Sequence, residues 1–444
     1  MMMETTKSHQ KARKPVSSPD RLSSWKREVS TAFAHLSKAQ VLGLVYWSVG
    51  IALTGSGGIS QISALLAQLL KQKEGTVFQR LREWYLEAEQ KKGDHRRELD
   101  VTSCFGPLLG WIIRLWAGNE RRIALALDAT TLGDRWTVLA VCVVIRGCGI
   151  PVAWKVIGAH AKGSWRPYWE GLLEHLQGRI PTDWQVLVLA DRGLYARWLF
   201  EAIVEKGWHP FLRINLGVKA RAAGESDFDW ISRWVPTPGT GWQGVVECFV
   251  GKKSRLACTL LMQWQEGYEH PWAILTDLAP DAANVAWYGL RSWVECGFKD
   301  FKRGGFGWHH EKMQDAGRVE RLWLAMAVAM VWMVSLGTQA ESQLPAACPE
   351  HLPEQHIARK RMKQASPRPP VRRLSCAQRG RLVLLAALLQ AQDLPVGRLL
   401  PENWPETLVS PKKTASPCKL RQREKQRERK RRQKKAARRR KAAA

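Results

Sequence analysis

Nowhere in the 444 residues do two cysteines stand in a CxxC pair; the nine are scattered. That removes the spacing of a zinc site and the framework of a disulfide-stapled domain. Reduced thiols in a cytosolic, mostly buried setting are the expectation. The N-terminus, MMMETTKSHQKARKPVSSPD, lacks the apolar core of a signal peptide. No internal repeat is visible. One apolar run, LWLAMAVAMVWMVSLG from Leu322, is short of the roughly 20 residues that cross a bilayer, so a buried helix is expected there. Acidic residues are scarce beside basic ones: 40 Asp and Glu against 69 Lys and Arg, a formal net charge of +29. Such an excess calls for a polyanionic partner, nucleic acid before membrane.

What is present has two textures. From Leu36 the chain reads as helices, with ISQISALLAQLLKQ and TVFQRLREWYLEAEQ separated by KEG. Two short amphipathic helices of this kind resemble a helix-turn-helix, placing Gln79, Arg80 and Arg82 on the second. A plain helical bundle has the same signature, and the pattern alone does not choose. From Arg121 the texture changes to three strand-like runs (IALALDAT, WTVLAVCVVI, IPVAWKVI), a helix, WQVLVLA, a second helix and HPFLRIN. That order fits an α/β class fold with an RNase H-like mixed sheet. Residues 216–271 break the rhythm and read as a small antiparallel, β-rich insertion into the α/β domain. The resulting division is 1–35 disordered and basic, 36–118 an all-helical DNA-binding domain, 119–340 the catalytic α/β domain, 341–418 a linker with one helical segment, and 419–444 a basic disordered tail. If about ten tail charges meet phosphates, the salt slope of DNA binding steepens by roughly nine.

Three acidic residues stand where this topology collects chemistry. Asp128 ends the first strand, Asp191 ends the strand after the first α/β helix, and Glu295 lies in YGLRSWVECGFKDFK, residues 288–302. Read as one helix advancing about 100° per residue, that segment sets Tyr288, Arg291, Glu295 and Lys302 along a single edge. Three neighbouring carboxylates do not all stay ionised without cations. Hard oxygen donors with no Cys or His pair favour Mg²⁺, with Mn²⁺ as substitute, and two such ions activate water for in-line attack on phosphate. Taken singly, each acid is equally a turn former, a helix cap or a solvated residue. Asp134, Asp183 and Asp277 read as turn or strand-flanking residues, and Asp300 points away from the Glu295 face. His309, His310 and Glu311 read as a solvated loop, not a metal site. Arg192, directly after Asp191, is within reach of either phosphate or carboxylate.

In combination these residues resemble the DDE transposases of the insertion-sequence-4 family. Tyr288, Arg291, Glu295 and Lys302 match its Y-(2)-R-(3)-E-(6)-K signature, and LDAT and ADRG match the segments of its two aspartates. The resemblance runs from about Ala124 to Gly337. It implies that Asp128, Asp191 and Glu295 hold two divalent ions, that Arg291 and Lys302 contact phosphates near the cleaved transposon end, and that Tyr288 contacts phosphate there or helps to hold a displaced nucleotide. It further implies an aromatic that stacks on a flipped base in members that cut through a hairpin; Trp272 is the positional match and Trp264 the runner-up. Burial in a strand is the competing role for Trp272. The activity implied is cut-and-paste movement of a bacterial insertion sequence: cleavage at terminal inverted repeats of double-stranded DNA, then strand transfer into target DNA, by a homodimer in the cytoplasm associated with the nucleoid. A structure-specific RNase H-like nuclease and a non-catalytic DNA-binding descendant are the alternatives.

Overall fold

Runs of aliphatic residues that are buried on both faces dictate the centre of the molecule. A computed structural model describes residues 21–342, apart from 94, 95, 266, 267 and 269, and residues 374–406. The tail from 419 therefore lies outside the described residues. β1 (Arg122–Leu132), β2 (Trp136–Ile145) and β3 (Cys148–Gly158) form an antiparallel meander. The β2–β3 turn places Arg146 and Gly147 at φ 44° and 73°, the twist that a two-residue hairpin demands. Arg146, a residue that ordinarily avoids this region, is held there by a 2.9 Å bond from its Nε to the carbonyl of Leu400.

Two helical crossovers then bring parallel strands to the other side of β1. α6 (Arg166–Glu174) leads to β4 (Gln185–Ala190), and α7 (Arg197–Val204) leads to β5 (His209–Arg213). β4 runs parallel to β1 and β5 runs parallel to β4. The order β3-β2-β1-β4-β5, antiparallel on one side of β1 and parallel on the other, makes a large mixed sheet consistent with the RNase H-like order expected.

The insertion is antiparallel β structure that extends the same sheet: β10 (Trp272–Thr276), which follows it, pairs antiparallel with β5, and outward of β10 lie β9 (Leu256–Gln263), β8 (Gly241–Cys248), β6 (Lys219–Ala222) and β7 (Asp229–Trp230). The reason is edge satisfaction. β5 would otherwise present unpaired N–H and C=O groups along a buried strand, and β10 closes that edge.

The helical part also starts earlier than expected. α1 (Ser23–Ala32) falls inside the segment read as disordered, and it buries Trp25, Val29 and Ala32. Its apolar residues are few, which hides the stripe in composition. α2 (Lys38–Thr54) opens on a capping box between Ser37 and Gln40 and bends by 100° into α3 (Ile59–Leu70), followed by α4 (Glu74–Tyr85) and α5 (Phe105–Leu115).

α9 (Ala316–Ala340) runs through the middle, buried at every position from Leu322 to Thr338. At 25 residues it is longer than its apolar run implied and is long enough to cross a membrane, yet 94% of its apolar window is buried inside the protein. An apolar surface on all sides is what a central helix needs. Trp25 of α1 stacks on Trp332 of α9, ring centroids 4.1 Å apart, while Trp323 of α9 meets Trp308, Phe298 and Phe301, which precede α9 in the chain. α10 (Cys376–Leu389), overlapping the helical segment expected within 341–418, lies against α9 so closely that a Cβ on Gly380 would stand 1.7 Å from the carbonyl of Met333.

Candidate active site

The register of the sheet sets the first two acids. Leu127 of β1 pairs with Ala190 of β4, so Asp128 and Asp191 occupy the next position on neighbouring parallel strands. Asp128 accepts the N–H of Ala129 at 2.9 Å, and Asp191 accepts that of Gly193 at 2.8 Å. A Cβ at Gly193 would stand 3.1 Å from the Asp191 Oδ1, a tight contact for that carboxylate.

The third acid is brought by α8 (Ser292–Phe301). α8 reaches the sheet through two glycines: a Cβ on Gly297 would lie 2.2 Å from the carbonyl of Gly149 on β3. The segment 288–302 is not one helix, however. Residues Val285–Arg291 form a 3-10 helix, started by Asn284, whose side chain accepts from the N–H of Ala286. The α-helix begins only at Ser292 and stops before Lys302, whose backbone leaves helical geometry at φ −97°, ψ −120°. The four signature residues therefore do not share one helical edge. They are gathered by a tighter turn, a helix and an exit loop.

Arg291 is the centre of the arrangement. One of its terminal nitrogens, Nη2, lies 2.9 Å from Asp128 Oδ2 and 3.4 Å from Asp191 Oδ2, while Nη1 lies 3.0 Å from Glu295 Oε1. The sequence reading gave Arg291 to phosphate; the structure joins it to all three acids. Its side chain is 12% exposed, Asp128 is 18%, and Glu295 is 58%. Burial raises the Asp128 carboxyl to about 6, and Arg291 and the Ala129 N–H restrain that rise. Burial opposes the charge on Arg291, but Asp128, Tyr288, Asp191 and Glu295 outweigh it and hold the guanidinium above its usual range.

Tyr288 is buried at 4% exposure, and its hydroxyl is raised to about 12 by that burial, against the pull of Arg291 and Arg213. The ring meets Trp272 edge to face at 5.1 Å. The Arg213 guanidinium lies 5.8 Å from both rings. Arg213 was not among the residues singled out from sequence; its only signal is position, as the last residue of β5, paired with the strand that begins at Trp272. Trp272 is half-buried, and Trp264 is tied elsewhere, donating its indole N–H to the carbonyl of Tyr268.

Lys302 donates to Thr130 Oγ1 at 2.7 Å, two residues beyond Asp128 on β1. Burial lowers its ammonium pKa. With Lys299, Arg303 and His309 it lines a cavity of about 380 Å³ beside the β1–β2 turn. Arg192 is exposed on the loop after Asp191. His309 and His310 face each other with ring centroids 3.8 Å apart.

The remaining assignments separate clearly. Asp277 pairs with His209 at 3.0 Å, and Asp300 is fully buried, accepting the Ser375 hydroxyl at 3.0 Å. On α4, Arg80 donates to Gln72 and lies over the Tyr46 ring, whereas Arg82 is exposed. Neither reaches the acids; they lie on another part of the molecule.

Among the described residues no three His, Cys, Asp or Glu side chains form a cage ready for a metal ion. The acids converge on a guanidinium instead. The donor set still suits a hard divalent cation: carboxylate oxygens, no thiolate or imidazole, and a positive charge already at their focus.

Residues 121–332 match the family model of the transposase DDE domain. That stretch contains Asp128, Asp191 and Glu295. No curated protein matches. Among solved structures, a piggyBac transposase synaptic complex with hairpin DNA is similar at 12% identity, covering 71% of this chain and 72% of that one, with a TM-score of 0.35.

Proposed function

We propose that this protein is a cut-and-paste transposase whose Asp128, Asp191 and Glu295 hold two divalent cations, Mg²⁺ or Mn²⁺ in its place. The observation that carries the reading is the meeting of these three acids on one cationic centre, inside the stretch that matches the transposase DDE domain. When bound, the ions activate the attacking oxygen and neutralise the leaving one in an in-line displacement at phosphorus.

The protein's own residues do the positioning. Parallel pairing of β1 and β4 sets Asp128 and Asp191 side by side, and the Gly149–Gly297 contact brings Glu295 onto the same point. Lys302 and Arg192 supply positive charge to phosphates on either side of the acids, Lys302 as a point charge and Arg192 as a fork. Trp272, half-buried beside Tyr288 and Arg213, offers a ring for a base drawn out of the duplex, a contact worth about 1–3 kcal/mol. In this reading two protomers pair on the terminal inverted repeats. Each end is cut through a hairpin, and the freed 3′-hydroxyl attacks target DNA. Arg80 and Arg82 on α4 serve the helical region's hold on the repeat.

The test uses DNA that carries the sequence flanking the reading frame. With Mg²⁺, the full chain is expected to release the end and join it to a second duplex. Asp128→Asn, Asp191→Asn and Glu295→Gln are expected to lose cleavage by a factor of at least about 10³ while retaining end binding in a mobility-shift assay. Full cleavage by the Glu295 variant sinks the assignment, and cleavage without joined products makes the protein a nuclease.

A further inference from the structure

A guanidinium that pairs with three carboxylates is doing what the divalent ions of the proposed function would do. Arg291 Nη2 bridges Asp128 and Asp191, and Nη1 holds Glu295. These are oxygens that an ion would need, and a guanidinium seated on them stands in the place an ion would take. The other edge of the same guanidinium is bare: its Nε is buried with no hydrogen-bond partner. Arg291 is therefore held in place by the acids and by little else around its charged head.

Resting on the assignment of the three acids as ion ligands, we propose that Arg291 is the resident cation of the ion-free site, so that divalent ions enter only by displacing its guanidinium. Without it, Asp128, Asp191 and Glu295 would repel one another at the edge of the sheet. With it, the site is assembled and neutralised before any ion arrives. The displaced guanidinium is then free to take an anionic partner, and the DNA phosphate next to the acids has the charge and the planar oxygen pair that suit it. Ion entry and phosphate binding thus favour each other, because each removes Arg291 from the position that opposes the other. Linkage makes the coupling reciprocal. The carboxylate contact seen here and a phosphate contact are two positions of one side chain, used in turn.

The test is made on the full-length protein without DNA, with Mn²⁺ alone as the probe. Mn²⁺ binding is measured by electron paramagnetic resonance. Arg291→Gln is expected to bind Mn²⁺ about tenfold or more tightly than the wild type, within the usual range of coupling between sites. It is also expected to melt at a lower temperature than the wild type without ions, and to gain more from Mn²⁺. Lys302→Gln removes a nearby positive charge that touches no acid, and is expected to stay within about twofold of wild type, which separates displacement from general charge. Arg291→Lys, which keeps a positive charge, should bind Mn²⁺ less tightly than Arg291→Gln.

Wild-type protein supplies an independent readout: phenylglyoxal labelling followed by mass spectrometry. Arg291 is expected to be protected in ion-free protein and several-fold more reactive when Mn²⁺ is saturating, with Arg318 unchanged. This footprint decides the matter even where the glutamine variant does not fold. Equal Mn²⁺ affinity in wild type and Arg291→Gln, or an Arg291 that stays protected in Mn²⁺, overturns the proposal. Mn²⁺ binding that Asp128→Asn leaves untouched overturns something larger, the assignment of the acids, and this proposal falls with it.

Discussion

Asp300 shows what burial does to a carboxyl away from Arg291. It lies five residues after Glu295, is fully buried, and accepts a hydrogen bond from Ser375. Burial raises it to about 8, with the Ser375 bond acting against the rise. In the unfolded chain the same group releases its proton near its ordinary value of 3.8. Between those two pH values the unfolded state binds fewer protons, so stability falls as pH rises from about 4 to about 8. Asp300→Asn, which keeps the shape and the serine contact, is expected to flatten that dependence; urea unfolding at pH 5 and pH 8 checks it. A slope as steep as the wild type's would assign the pH dependence to other groups. At this scale order and spacing single out Asp128, Asp191 and Glu295, the acids that meet on Arg291, from Asp277 and Asp300, but β1 runs on to Leu132, so Asp128 lies within its strand and not at its end. Arg213 was not legible, because nothing in HPFLRIN reveals that its neighbour across the sheet is the strand of Trp272. The position of Arg291 was also hidden, since spacing shows which residues are close along the chain and not which charges meet.

At the scale of elements, the approach of α8 to β3 depends on the absence of two side chains. A Cβ at Gly297 would stand 2.2 Å from the carbonyl of Gly149, and one at Gly149 would stand 2.9 Å from the Cα of Val294. Both neighbours are backbone and do not swing aside. Gly297→Ala is expected to cost about 1–3 kcal/mol, the usual toll of overpacking. It should also displace Glu295, so cleavage is expected to fall further than stability explains. Thermal melts and cleavage rates on the same preparation test both halves, and a variant with wild-type melting and wild-type cleavage would show that the contact is slack. The interruption between Val285–Arg291 and Ser292–Phe301 escaped the sequence for a simple reason. Offsets of three, seven and fourteen satisfy a continuous helix, and a 3-10 turn that precedes an α-helix shifts the angles without altering the spacing. The strands, by contrast, announced themselves: β1, β2 and β4 are short runs of aliphatics bounded by turn residues.

The whole molecule is held by α9 from two sides. Arg321, 3% exposed, donates to the carbonyls of Tyr85 and Leu99 and pairs with Glu87 and Glu98, all from the chain between α4 and α5. Arg318 pairs with Glu87 as well, and these bonds, Arg318 first, hold the Glu87 carboxyl at about 2. That contribution is present above the ordinary carboxylate range and is lost as pH falls toward 2. Arg321→Met would leave Glu87 half-paired and two buried carbonyls without their donor, and is expected to cost about 3–5 kcal/mol. Denaturant titration measures it; a loss under about 1 kcal/mol would show that water replaces the guanidinium readily. The sequence reading separated a helical domain from the catalytic one because their textures differ. It could not show that α9 supplies core to both, since an apolar helix carries no record of which neighbours cover it.

The stacking of Trp25 on Trp332, with Trp323 on the other part of the same helix among Phe298, Phe301 and Trp308, bears on inheritance. Parts joined by a tether are exchanged by recombination at the tether, and each half arrives with its own interior. Here a crossover between the helical region and the sheet would divide one interior between two parents. Chimaeras of this protein should therefore succeed where the junction carries α9 together with the residues that line both its faces. New binding specificities would have to arise by substitution on exposed helix surfaces such as that of Arg82, and not by the import of a foreign domain.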